Sequence, residues 1–257
     1  MTEPDSVRQA AAKLGGHGRL ASWAAAVMAA AAAVALAIGV TTPPRSGPFC
    51  RGDCITYPFA DAAAFVPRDY LWMYPAVLMV LLFVVVIACI HQRAEAHSRL
   101  FTRVALSLAA ISATALLADY FLQLTVVQPS LLKGESAGLS LISQYNPHGV
   151  FIALEDLGFL VMGLAFLFVA AGLVGRSRLE RAGRYVLATG GILAVVALVV
   201  LALVYRSDLE YRYEVAAIAI DWLTLIAGGV LLSLLFRREA RASAPRDDVA
   251  PRPTLPR

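Results

Sequence analysis

Six long apolar stretches, none of them containing lysine or arginine, constrain this chain more than any other feature. They cover residues 20–40, 70–90, 104–127, 150–174, 185–205 and 215–236. Crossing a hydrocarbon core takes about 20 helical residues at about 1.5 Å each, and every stretch is long enough. The reading is an all-α, polytopic integral membrane protein. Its six-helix transmembrane bundle occupies residues 20–236, between polar tails at 1–19 and 237–257 that are expected to be disordered. Composition agrees: 59% of residues are apolar and 16% charged, with a mean hydropathy of +0.69. A soluble domain has about 45–50% and about 25%. The formal charge of +4 is too small to argue for nucleic acid, so the expected partner is the lipid bilayer.

Flanking Lys and Arg set the orientation. The two tails and the second and fourth loops carry sixteen of them, against six in the first, third and fifth loops. That difference predicts cytoplasmic termini in an inner or plasma membrane. Tyr70, Trp72 and Tyr74, with Tyr205, Tyr211 and Tyr213, fall where an outer aromatic belt belongs. The first stretch competes with a signal-peptide reading. Its apolar run exceeds the usual 7–15 residues and lacks a small-residue cleavage site, which favours a retained helix. Its alanines suit close packing against neighbouring helices. The many arginines and alanines fit a GC-rich, bacterial genome.

Cys50 and Cys54 lie in the first loop, which this topology places outside, where an oxidising medium permits a disulfide between them. The intervening Arg51-Gly52-Asp53 also spells an integrin-binding tripeptide, a match that chance readily supplies. Cys89 sits near the opposite end of the second span.

Chemistry is sought where the spans break their own rule. Asp119 interrupts the third, Glu155 and Asp156 the fourth, and Asp221 the sixth. Each costs about 2.5–3.5 kcal/mol at a helix centre, so such residues face a bundle interior or a wet cavity. Counting from the helix ends places Asp119 about 12 Å in, Glu155 and Asp156 about 9–10 Å in, and Asp221 about 10 Å in. Three helices thus present acids at one level in the outer half of the membrane. Ser112, Asp119 and Gln123 share a face of the third span, His148 and Glu155 one of the fourth, Glu214 and Asp221 one of the sixth. Glu155 and Asp156 point about 100° apart, so one of them faces away.

No basic side chain inside a span neutralises these acids, so at neutral pH some of them are expected to be protonated or to hold a bound cation. The expected pocket takes proton or cation contacts from Asp119, Glu155, Asp156 and Asp221, with Gln123, His148 and Tyr145 shaping its mouth. The competing reading makes them interhelical hydrogen-bond partners of Ser112, Tyr120, Gln123, Trp222 and Thr224 that merely fix packing. The third loop reads equally as a lid over the pocket and as a plain surface connection. Asn146-Pro147 reads as an N-cap followed by a first-turn proline.

Four histidines in separate segments give no zinc pattern, so no metal site is expected. Nucleophile elbows, phosphate loops, dinucleotide fingerprints and Asp-rich prenyl-diphosphate motifs are missing from the sequence, and the residues name no cofactor. The expectation is a multi-pass protein that binds or moves a small molecule or cation through an outward-facing acidic pocket. The alternatives are a membrane enzyme using a protonated carboxylate as general acid on a lipid or isoprenoid, and a non-catalytic assembly partner.

Overall fold

The computed structural model describes residues 3–242, with side chains from Gly18 onward. Six helices are long and apolar enough to span a membrane, and no strand occurs among the described residues. In chain order the helices are α1 (Glu3–Thr41), α2 (Met73–Arg93), α3 (Arg99–Leu122), the short α4 (Gln128–Leu132) and α5 (Leu139–Ile142), α6 (Val150–Gly172), α7 (Arg178–Tyr205) and α8 (Tyr211–Ala242). This is a multi-pass membrane protein.

The spans form a ring in which neighbours in sequence are neighbours in space, closed by α1 against α8; α6 also touches α8 across it. Small residues set the closest approaches. A Cβ at Gly158 of α6 would come within 2.5 Å of Leu116 of α3, and one at Gly163 within 2.7 Å of Ala194 of α7. Such contacts allow the dispersion and hydrogen bonding that hold helices together in lipid, where no hydrophobic force separates helix from tail. Ser112 Oγ uses the first of these approaches to donate to Gly158 O at 2.7 Å. One face of α1 is lined by buried alanines, among them Ala21, Ala25, Ala32 and Ala35, and Gly229 of α8 packs on Ala25 and Ala29.

Several boundaries differ from expectation. Helix α1 begins at Glu3, so the segment expected to be a disordered tail is helical from there; its run of Ala with Gln9, Lys13 and Leu14 favours helix locally. At the other end α8 continues to Ala242, and the rest of the expected tail lies outside the described residues. The third span does not stop at Val127. It widens into a π-helical turn, Gln123–Val127, and continues as α4. The widening falls just before Pro129, which has no N–H to return to the helix.

Helix α7 starts at Arg178, seven residues before its apolar run, because Ser177 caps it: Ser177 Oγ accepts from Glu180 N at 3.1 Å. Glu180 in turn accepts from Val174 N and Arg176 N, an S-x-x-E arrangement close to a capping box. Helix α6 begins at Val150 with Gly149 as its N-cap, not at Asn146-Pro147. Asn146 makes a turn instead, its Oδ1 accepting from His148 N at 3.0 Å and its carbonyl from Gly149 N at 2.9 Å. The Asn side chain competes successfully with the helical ladder there.

Candidate functional site

The bundle has two unlike ends. One carries the first, third and fifth loops and the Cys50–Cys54 disulfide; the other carries the second and fourth loops, the start of α1 and the end of α8. At the disulfide end a cavity of about 410 Å³ separates α1 from α8. Its walls are the last turns of α1 (Leu36, Gly39, Val40), the segment Thr42–Ser46 with Phe49, Asp69 and Trp72, Gln144 and Tyr145 of the third loop, and the first turns of α8 from Tyr211 to Trp222. Val40, Phe49 and Val215 on its rim are exposed, so it reaches the surface along an apolar edge.

The polar wall is built by long-range contacts. Arg45 Nε donates to Asp69 Oδ2 at 3.2 Å, with its guanidinium 4.0 Å over the Phe65 ring. Tyr145 Oη donates to the same Asp69 oxygen at 3.3 Å. Burial, above all, pushes the Tyr145 phenol well above the ordinary tyrosine range, with the neighbouring Tyr70 and Asp69 adding to it. Ser46 Oγ bonds Tyr145 O at 2.6 Å and Tyr211 Oη at 2.8 Å, which ties the first loop to the third and to α8. Among the described residues, two buried polar atoms of cavity-lining residues have no hydrogen-bond partner: Asp69 Oδ1 and the indole Nε1 of Trp222.

Glu214 lines the cavity from α8, and its carboxyl lies against that of Glu155 on α6. Behind that pair Tyr120 Oη donates to Glu155 Oε1 at 2.7 Å, and Asp119 is the next charged neighbour. Glu155 Oε2 and Asp119 Oδ2 are buried and have no partner among the described residues. Asp119, Glu155 and Glu214 therefore form one cluster drawn from three helices.

Asp221 stands apart from it, about two turns further along α8. It is fully buried with both carboxyl oxygens unpartnered among the described residues, and faces the close approach of α6 and α7 at Gly163. Tyr213 feels both Asp221 and Asp156, so Asp156 belongs to this second, deeper set as much as to the first. The expected common level of Asp119, Glu155 and Asp221 is thus split in two.

Of the residues expected at the mouth, only Tyr145 lines the cavity. Gln123 is buried in the π-helical turn, where Nε2 donates to Ile142 O at 2.6 Å and pins the third loop to α3. The side chain of His148 is exposed, away from the acids with which helical spacing had aligned it. Its assumed place in the helix failed because α6 starts two residues later. Glu214 escaped notice as a site residue because it immediately precedes the apolar stretch 215–236, where a carboxylate looks like an ordinary flank. Arg45, Asp69 and Trp222 come together from distant segments, and no local spacing announces that. Among the described residues, no three His, Cys, Asp or Glu side chains are placed to share a metal ion. Compared with known protein families, curated proteins and solved structures, the chain matches none.

Proposed function

We propose that the protein binds a small molecule with an apolar body in the cavity between α1 and α8, and moves it across the membrane. The cytoplasmic termini implied by the arginine distribution put that cavity at the outer face of a cell membrane. One observation carries the reading: Glu214 is at once a wall of the cavity and a member of the buried carboxyl cluster with Glu155 and Asp119. A volume of about 410 Å³ falls within the range of small-molecule sites, about 300–1,000 Å³. The wall chemistry is also of that kind: Trp72, Trp222, Tyr145, Tyr211 and Phe49 surround a few polar groups. An apolar rim suits a ligand that arrives from the lipid as readily as from water.

The test uses the full chain in lipid nanodiscs and three probes of one shape and different charge: tetraphenylphosphonium, tetraphenylmethane and tetraphenylborate. Trp72 and Trp222 report by fluorescence. At least one probe is expected to change their emission saturably, and Gly39→Leu, which fills the cavity from α1, is expected to remove the response without lowering the melting temperature. A response that survives Gly39→Leu, or none from any probe, overturns the reading.

A further inference from the structure

The chemistry of the cavity wall also says which charge the ligand carries. This step rests on the cavity being a ligand site, and sharpens it. Around Glu214 the charged and titratable groups are Glu155 and Asp156 of α6, Asp119 and Tyr120 of α3, Tyr211 and Tyr213 of α8, and, across the cavity, Arg45, Asp69 and Tyr145. Arg45 is the cation among them, and it is committed to Asp69 and to the face of Phe65. Arg212, two residues before Glu214, stacks 4.4 Å over Tyr205 and pairs with Glu210 at 3.3 Å. Glu214 therefore faces carboxyls without a cation of its own.

A second observation points to a ligand: Asp69, a cavity-wall residue 2% exposed, keeps one carboxyl oxygen, Oδ1, without a partner among the described residues. Asp69 on one wall and Glu214 on the other bring carboxyl groups to two sides of an aromatic-walled space, which suits a positively charged organic group, since ring faces attract cations. Trp72 and Trp222 both line the cavity and pack on each other, their ring centroids 5.9 Å apart.

We infer that Glu214 is the exchange site at which a lipophilic organic cation and a proton bind in turn. Without the cation, the Glu214 oxygen carries a proton, and the neighbouring Glu155 carboxyl is its contact. When the cation enters, the O–H bond of Glu214 breaks, the proton leaves to water at the cavity mouth, and the carboxylate pairs with the cation. Charge balances: one positive charge enters and one leaves. Departure of the cation reverses each step, so cation binding in the cavity is linked to one proton.

The experiment is a titration of the full chain in nanodiscs with tetraphenylphosphonium in weakly buffered solution containing a pH-indicating dye. The expected results are release of one proton per cation bound, and affinity rising about tenfold per pH unit while Glu214 titrates. Glu214→Gln keeps the shape of the side chain but cannot exchange a proton. It is expected to bind the cation at least tenfold more weakly, with no proton release and no dependence on pH. Glu214→Asp is expected to retain the release, which keeps the test decisive should the Gln variant not fold.

Equal binding of tetraphenylmethane or tetraphenylborate, or cation binding without proton release, overturns the inference while leaving the cavity as a ligand site. Loss of all probe binding removes the site itself, and so separates the two failures.

Discussion

At the end bearing the second and fourth loops, Arg93 pairs with Glu239 and stacks 4.7 Å over Phe236, while Arg176 pairs with Glu95. Glu180 takes the two backbone N–H groups of the α6–α7 turn, and His91 Nδ1 meets Thr102 Oγ1 at 2.8 Å. Even the small cavity there, about 110 Å³, is rimmed by these paired groups. At the disulfide end Glu214, Glu155, Asp119 and Asp69 gather with fewer partners than oxygens, beside a larger space. A membrane protein that needed only to hold together would satisfy its polar atoms, because each one left alone in a dry interior is costly. One end follows that rule and the other departs from it. The departure is where the proposed ligand and proton would complete the set.

The comparison breaks most severely if the helix contact beneath the carboxyl cluster is pushed open. Gly158→Leu forces a side chain into Leu116 and displaces Ser112 from Gly158 O, and both α3 residues lie on the helix that carries Asp119 and Tyr120. Overpacking of this kind costs about 1–3 kcal/mol or more. A melting temperature several degrees lower in detergent is expected, together with loss of the response to every probe. Unchanged melting would mean that this contact does not hold the cluster.

A smaller effect is expected at Tyr145, whose phenol must keep its proton to donate to Asp69. Its folded-state pKa is raised, so the contribution is complete below the ordinary phenol value, about 10. It is lost as pH climbs beyond that. Stability of the native protein should therefore fall on the alkaline side more steeply than that of Tyr145→Phe, as read from melting at stepped pH. Parallel curves would detach Tyr145 from Asp69.

The smallest effect is expected at the paired end. Arg93→Gln with Glu239→Gln removes a half-exposed ion pair, a change worth about 0–1 kcal/mol at most, and should leave tetraphenylphosphonium affinity within twofold. A larger loss of affinity would show that the two ends are coupled.

Two members of the carboxyl cluster were legible before folding. Asp119 and Glu155 stand out because a carboxylate in an apolar run is expensive, and that expense is a property of the run itself. Their meeting follows from helices of similar length entering at similar depth. Asp221 had the same signal, yet it turns to the gap between α6 and α7, because helix rotation is set by which small residues meet, here Gly163 and Ala194. Glu214 gave the opposite case, a flank by composition and a cavity wall in space. His148 failed for a local reason, since the Asn146 turn delays α6 past it.

The sequence by itself determined that six helices cross a bilayer, since span length and hydropathy are local quantities summed over about 20 residues. It also determined which residues carry unbalanced charge inside those spans. Tertiary structure alone decided that α1 closes the ring on α8, that the two separate around a cavity at one end, and that Glu214 with Arg45, Asp69 and Trp222 bounds it. Those outcomes depend on how helix faces rotate and how loops of distant sequence fold over them. In lipid that choice rests on close packing between small residues and on individual hydrogen bonds, which no single stretch of chain encodes.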